Sequence, residues 1–242
     1  MTRASLRGWR LAAFAAFATL AACQRDAPPP PAPAAIETPA PAAPAPQAEP
    51  AVPPVASDDW TLPGTLGPLT TRHALETRFG KANVRQETFD GAEGIGTYPA
   101  LVVFPDDPAR QLELVLDAED NDAPIQELRV RAPGSRWHDA SGLRTGMTLA
   151  ELVALNGAPI SFYGLEWDYG GTVQDWHGGK LANAAGAPLF RRVTLGARAG
   201  TPADTVPIGD SVFRSDDPRF AGIGASLEVV EFGISWPREG ED

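Results

Sequence analysis

A long segment of proline and alanine divides the chain and limits how much of it can fold. Residues 25–57 are mostly Pro and Ala, with four prolines in a row at 28–31. Such a segment has almost nothing to bury, so its composition predicts a polyproline-II-like or disordered tether that reaches roughly 100 Å at about 3.1 Å per residue. The folded part is therefore predicted to begin at residue 58 and to end at residue 242, a length that permits a well-buried core.

The residues before this tether have the layout of an export signal. Three arginines in the first ten residues precede an uncharged apolar stretch at residues 11–22. Twelve residues at about 1.5 Å each reach about 18 Å, which is short of the roughly 30 Å hydrocarbon core that a membrane-spanning helix must cross. The stretch is therefore predicted to be a cleaved signal peptide.

The end of the apolar stretch carries a motif. Leu20-Ala21-Ala22-Cys23 resembles the lipobox of bacterial lipoproteins, with small residues before a cysteine whose thiol takes the lipid. The resemblance implies a signal peptide at residues 1–22, lipid attachment at Cys23 and a tether at residues 23–57. Gln24, rather than Asp, implies sorting to the outer membrane, where the folded part faces the periplasm and the lipid, including palmitate, holds it to the membrane.

The number of cysteines and the net charge indicate which stabilising bonds and which partners the chain can have. Cys23 is the only cysteine, so the folded part is predicted to be stable without a disulfide. Without the signal peptide, 17 basic side chains stand against 31 acidic ones, a net charge of −14. A charge of this sign repels nucleic acids and anionic headgroups, which predicts no nucleic-acid partner.

Two short helices are predicted at matching places in the folded part. Thr71 and Gly80 flank the first, and Thr148 and Gly157 flank the second, in each case 77 residues later. Apolar residues recur at helical spacing between each pair, and Thr and Gly are residues that cap the two ends of a helix. The common offset indicates an internal repeat.

Stretches rich in Val, Leu and aromatic residues follow each helix and predict antiparallel strands. The predicted strands are residues 98–104, 111–116, 125–130, 165–169, 172–177, 190–195 and 227–236. Gly178-Gly179 is predicted to form a tight hairpin, because glycine readily adopts positive φ. The predicted fold class is α+β, with two tandem units at residues 58–139 and 140–242, each a short helical segment backed by an antiparallel β-meander.

The second helix also carries a motif of a known family. Gly146-Met147-Thr148, Leu152 and Gly157-Ala158-Pro159 resemble the helix-start signature of the small lipoprotein of the outer-membrane β-barrel assembly machinery, over 14 residues. Tandem units of this size are also similar to those of the secreted β-lactamase inhibitor protein. The resemblance implies a protein-binding module with a solvent-facing sheet and no catalytic residues to carry over.

Patterns typical of metal and nucleophile sites do not occur. His73, His138 and His177 are not within metal-ligand spacing of one another, and the acidic run at residues 117–122 lacks the Gly and Glu of an EF-hand loop. Gly-x-Ser-x-Gly is absent: Ser211 lacks the second glycine, and Ser141 and Ser161 lie beside helix caps and turns. We therefore predict no metal, no cofactor and no enzymatic activity. Converging carboxylates have no sequence signature, which keeps a hydrolase as an alternative.

Residues 165–180 form the densest unusual segment, with aromatic and polar residues between two glycine pairs. In one interpretation, Trp167 and Tyr169 are core residues and the glycines only bend the chain. In the other, the segment is a protein-binding or stacking surface on which Trp176, His177 and Asp168 are exposed. The candidate binding surface consists of Trp167, Asp168, Tyr169, Trp176 and His177.

These features together predict a non-enzymatic binding or scaffold lipoprotein of the cell envelope. Its sheet face is expected to hold a protein or an envelope polymer. The alternative is a periplasmic hydrolase that acts on that polymer. A binding module predicts exposed aromatic residues without a deep cleft, whereas a hydrolase predicts carboxylates that converge beside a substrate-sized groove.

Overall fold

The structure, a computed structural model, describes residues 59–91, 94–118, 120, 123–183 and 188–237. All of them belong to one compact unit of the chain. The predicted signal peptide, the lipid attachment site Cys23 and the predicted tether lie outside the described residues. Three residues of the acidic run, at positions 119, 121 and 122, also lie outside them.

The two helices predicted from their caps are confirmed, and a third short helix occurs late in the chain. The helices are α1 (Arg72–Phe79), α2 (Leu149–Asn156) and α3 (Ile223–Ser226). Thr148 and Glu151 form a capping box at the start of α2, since each side chain accepts a hydrogen bond from the other residue's backbone N–H. Gly157 ends α2 with a left-handed φ of 78°, a conformation that glycine adopts without strain.

Eleven strands are found in the described part of the chain, and most of them pair antiparallel. They are β1 (Thr61–Leu62), β2 (Val84–Asp90), β3 (Thr97–Val103), β4 (Leu112–Leu116), β5 (Ile125–Val130), β6 (His138–Asp139), β7 (Ser161–Tyr163), β8 (Val173–Asp175), β9 (Phe190–Ala197), β10 (Val212–Arg214) and β11 (Leu227–Ser235). A six-stranded sheet has the order β2-β3-β4-β5-β11-β9. A three-stranded sheet has the order β10-β7-β8, and β1 pairs with β6 in parallel. The α+β class predicted from the sequence is confirmed.

The six-stranded sheet buries one face against the helices and loops. Leu101, Leu114, Leu128 and Ile234 occupy paired positions on successive strands, and all are fully or almost fully buried. Leu149 and Leu152 of α2 belong to the same core. Because side chains alternate along a strand, the neighbouring row of residues points to the opposite face, which we call the outer face.

The predicted halves of the folded part share this sheet. Strand β5 lies in residues 58–139 and pairs with β11, which lies in residues 140–242. The first half supplies β2 to β5 as a meander, and the second half supplies β9 and β11 together with the three-stranded sheet. The sheet is therefore continuous across the boundary between the predicted units.

Two local predictions are wrong. Residues 165–169 are not a strand: they form bends and turns after an isolated bridge between Leu165 and Ile208. The predicted hairpin at Gly178-Gly179 is instead a tight turn one residue earlier, with positive φ at His177 and Gly178. After this turn the chain runs to the end of α2, where Lys180 N–H bonds Asn156 O, so no partner strand follows it.

Candidate binding groove

The outer face of the six-stranded sheet carries a row of charged residues. Strand register places Arg85, Glu113, Arg129 and Arg192 in line, with Val102 and Gly233 between them. Directly paired residues point to the same face, so this row is the counterpart of the leucine row in the core. Charged side chains at the centre of a sheet must pair with side chains of opposite charge, because removing an unpaired charge from water raises the free energy of the folded state.

Three arginines and three glutamates lie close together on this face, and two of the glutamates form short ion pairs with the arginines. We call Arg129, Arg131, Arg192, Glu113, Glu127 and Glu231 the arginine–glutamate cluster. Glu231 lies 2.6 Å from Arg131 and 2.5 Å from Arg192, and Glu127 lies 2.5 Å from Arg129 and 2.9 Å from Arg192. Because each of these two carboxylates binds more than one guanidinium, the long side chains are held in place before any ligand arrives.

Aromatic rings support the same arginines. The Tyr98 hydroxyl accepts hydrogen bonds from Arg129 at 2.7 Å and from Arg131 at 2.9 Å. The guanidinium of Arg129 also lies 5.0 Å from the centre of the Tyr98 ring, and that of Arg131 lies 5.9 Å from the Phe89 ring. These distances are in the range of cation–π contacts, which further restrict the side chains.

The pKa values of two carboxylates of the cluster, Glu113 and Glu231, are shifted in opposite directions. Burial raises the pKa of Glu113 above its ordinary value, despite the attraction of Arg131 and Arg129. Burial opposes ionisation of Glu231 as well, but Arg192 and Arg131 outweigh it and hold the pKa of Glu231 below its ordinary value. Glu113 Oε2 accepts no hydrogen bond within the described part of the chain. Glu113 therefore takes up a proton more readily than Glu231.

A loop from the second half of the chain forms one wall of a groove on this face. The groove encloses about 500 Å³, and besides cluster residues it is lined by Tyr98, Asp168 and Tyr169. Gly171 fixes the loop against β9: its φ is +75°, and a Cβ atom there would lie 1.9 Å from Leu195 O. Gly171 O also accepts a backbone hydrogen bond from Leu195 N–H of β9 at 2.9 Å. The backbones of the loop and β9 approach so closely that no side chain fits between them, which explains why glycine occupies position 171.

Aromatic contacts stiffen this loop. The ring of Trp167 meets the rings of Tyr163 and Tyr169 edge to face, with centres 5.1 Å and 5.3 Å apart. Trp167 also donates a hydrogen bond from its indole N–H to Gly164 O at 2.9 Å. Tyr169 remains 47% exposed, so one large aromatic side chain is presented to solvent beside the arginines.

The structure separates the five residues predicted as one binding surface. Asp168 and Tyr169 line the groove, and Trp167 is half-buried behind Tyr169. The prediction was wrong for Trp176, which is only 7% exposed and packs in the hydrophobic core. His177 is exposed but does not line the groove. The alternation of side chains along a strand does not predict the side on which Trp176 lies relative to Trp167, because residues 166–171 turn rather than continue a strand.

Sequence reasoning missed the arginines of the groove. The alternating order Glu127-Leu128-Arg129-Val130-Arg131 was a signal, because charges at every second position of a strand indicate a polar outer face. Arg192 and Glu231 had no comparable signal. They join the cluster only through the pairing of β9 with β11 and of β11 with β5.

Comparisons with protein-family models, curated proteins and solved structures found no match to this chain. Within the described ranges, no three His, Cys, Asp or Glu side chains are grouped so that they could hold a metal ion. No helix in those ranges is long and apolar enough to cross a membrane.

Proposed function

We propose that this chain is an outer-membrane lipoprotein whose groove binds another protein in the periplasm, without chemistry of its own at that site. The observation that carries the proposal is the group formed by Tyr169, Arg131 and Arg192 on the outer face. Tyr and Arg are enriched among the residues that dominate the energy of protein interfaces. Both arginines have side chains that are 39% exposed, so a partner can reach them.

Preorganisation supports this proposal. Arg131 is held by Glu231 and Tyr98, and Arg192 by Glu127 and Glu231. Binding to side chains that are already ordered costs less conformational entropy than binding to free arginines on a surface. The groove is shallow and mixed in charge, which favours a protein segment with both acidic and basic groups over a small apolar ligand.

The proposed anchoring rests on the sequence. The lipobox ending at Cys23, Gln24 after it, and a tether reaching roughly 100 Å would let the folded part meet a partner away from the membrane. We also propose that the two halves of the folded part are tandem units related by an internal repeat. In support, α1 and α2 are both eight residues long, and every cap and boundary of α2 follows that of α1 by 77 residues.

Replacing the lipidated cysteine tests the anchoring. Cys23→Ser removes the thiol that forms the thioether, so metabolic labelling with palmitate should be lost and the signal peptide should remain attached. Mass spectrometry of the purified protein distinguishes the two forms. Labelled Cys23→Ser protein would contradict the anchoring, and wild-type protein that fractionates with the inner membrane would contradict the proposed sorting.

Truncating the exposed aromatic residue of the groove tests the binding proposal. Tyr169→Ala should weaken the complex with the partner by about 1 to 4 kcal/mol, because an exposed Tyr beside ordered arginines has the character of a hot spot. The partner is first captured by chemical cross-linking of the lipidated protein in its own envelope. Affinity is then measured with the purified partner for wild type and variant.

The matched control is Leu69→Ala. Leu69 is 87% exposed and does not line the groove, so its truncation should change neither stability nor affinity. Equal affinity of wild type and Tyr169→Ala protein for every captured partner would contradict the proposal. Capture of peptidoglycan fragments instead of a protein, abolished by Tyr169→Ala, would assign the groove to an envelope polymer.

A further inference from the structure

A second group of reactive side chains lies on the three-stranded sheet. Strand β7 is its central strand, and register pairs Ser161 with Arg214 of β10 on one side and with Asp175 of β8 on the other. The adjacent residue Phe162 is fully buried in the core. Since neighbouring side chains of a strand point to opposite faces, Ser161 points away from the core, between an arginine and an aspartate.

His177 completes this row by folding back over Ser161. Its Nε2 lies 2.7 Å from Ser161 Oγ, and its Nδ1 lies 3.4 Å from Asp175 Oδ2. In the tautomer that carries the proton on Nδ1, the ring donates toward Asp175 and accepts the hydroxyl proton of Ser161. This is the order of nucleophile, base and orienting acid found in serine hydrolases.

The backbone holds His177 in this position. His177 has a φ of +50°, a region that histidine, asparagine and aspartate adopt more often than other non-glycine residues, and its N–H bonds Asp175 Oδ1 at 2.7 Å. The preceding residue Trp176 is buried, and its carbonyl accepts a hydrogen bond from the buried Asn156 side chain at 2.9 Å. The tight turn from Trp176 to Gly179 requires this left-handed conformation, and the buried neighbours hold it in place.

Arg214 supplies a positive charge beside the serine. Its Nε and Nη2 atoms bind the two carboxylate oxygens of Asp216 at 2.9 Å and 3.1 Å. The remaining Nη1 lies 3.2 Å from His177 Nε2, next to the Ser161 hydroxyl. In the tautomer with the proton on Nδ1, this Nη1 donates to the same His177 Nε2 that accepts from Ser161. Once Nε2 takes the serine proton it can no longer accept, so the Nη1 donor is released and can stabilise the negative oxygen that develops when the serine attacks an acyl group.

We propose that Ser161, His177 and Asp175, with Arg214, form a hydrolytic site for short-chain carboxylic esters. Ser161 Oγ attacks the acyl carbon and passes its proton to His177 Nε2, while the carbonyl oxygen becomes an oxyanion beside Arg214. The ester C–O bond then breaks, and His177 protonates the departing alcohol. Water attacks the acyl-serine, His177 takes its proton, and the acid leaves as the proton returns to Ser161.

A depression lies on the far side of Arg214 and shares only that residue with the proposed site. It encloses about 410 Å³ and is lined by Arg214, Asp216, Asp217 and Arg219, with apolar surface from Val212, Phe213 and Pro218. The Ser161 site shares no residue with the groove on the six-stranded sheet. Its activity is therefore independent of the proposed protein binding, and it departs from the prediction that the chain is not an enzyme.

Two assays on the full mature lipoprotein in detergent test this site. Wild type should hydrolyse p-nitrophenyl acetate above the buffer rate, and Ser161→Ala should lose about 10²- to 10⁴-fold of that rate. A fluorophosphonate probe should label Ser161, as seen by mass spectrometry of the peptide, and His177→Gln should abolish the labelling. Ser211→Ala, which removes an exposed hydroxyl just before β10, should retain both activities.

Three outcomes would overturn the proposal: no hydrolysis by wild type, no labelling of Ser161 by the probe, or undiminished hydrolysis by Ser161→Ala. The probe is applied to wild-type protein, so this readout does not depend on whether a variant folds. The melting temperature of each variant is compared with that of wild type, and Asp175→Asn should lower the rate while leaving the serine in place.

Discussion

Trp176→Ala should lower the free energy of unfolding by about 3 to 5 kcal/mol, as expected for truncation of a buried tryptophan. The indole packs among core residues, and the backbone around it is fixed by hydrogen bonds from Asn156 and Gly179 to Trp176 O. The surrounding chain therefore has little freedom to collapse into the space that the indole leaves. Equilibrium denaturation of the mature protein by urea measures the loss.

Tyr169→Ala is the matched control for this prediction. Tyr169 belongs to the same stretch of sequence but is 47% exposed, so its truncation should change the free energy of unfolding by less than about 1 kcal/mol. A Trp176→Ala protein as stable as wild type would place the indole on the surface, as the binding-surface interpretation assumed. The pair of variants separates the core residue from the groove residue within one segment.

Local signals explain which parts of the fold were predictable. The caps of α2 lie within three or four residues of the turns that they close, so Thr148 and Gly157 marked its ends correctly. The alternation of leucines along β4 predicted a strand because one face of the strand packs in the apolar core, although all five residues of β4 are buried. In both cases the physical cause lies within a few residues of the effect.

The loop at residues 165–171 was not predictable in this way. Its alternation of Leu165, Trp167 and Tyr169 matches a strand, yet the chain turns, and Glu166 adopts a φ of +66°. The conformation depends on Gly171 docking against β9, about two dozen residues later in the chain. A contact with a distant strand therefore overrode the local pattern.

Both candidate sites are assembled by strand register between distant segments. Arg129 and Arg192 meet on the outer face because β11 lies between β5 and β9, and no spacing in the sequence encodes that order. Ser161 and His177 meet because β7 pairs with β8 and the chain then turns back at Gly178. The absence of Gly-x-Ser-x-Gly excluded only a nucleophile at a strand-to-helix turn, and Ser161 lies within a strand.

A single buried amide joins α2 to the turn that carries His177. Asn156 is fully buried; its Nδ2 donates to Ala158 O and to Trp176 O, each at 2.9 Å, and its Oδ1 accepts from Leu181 N at 3.1 Å. Gly179 packs directly on this amide, since a Cβ atom there would lie 2.2 Å from Asn156 Oδ1. The close packing makes it hard for water to replace the amide.

Asn156→Ala should therefore cost about 3 kcal/mol or more, because each buried backbone group left without a partner costs roughly 1 to 3 kcal/mol. Asn156→Asp should be no better tolerated, since it replaces a donor by an acceptor that faces two carbonyl oxygens.

Asn183→Ala is the control: Asn183 also makes two hydrogen bonds to backbone, at Arg191, but it is exposed and water can replace it. We expect a loss below about 1 kcal/mol there, measured by the same urea denaturation. Equal losses for Asn156→Ala and Asn183→Ala would show that burial does not set the cost, and would remove the basis for assigning Asn156 the role of holding His177 over Ser161.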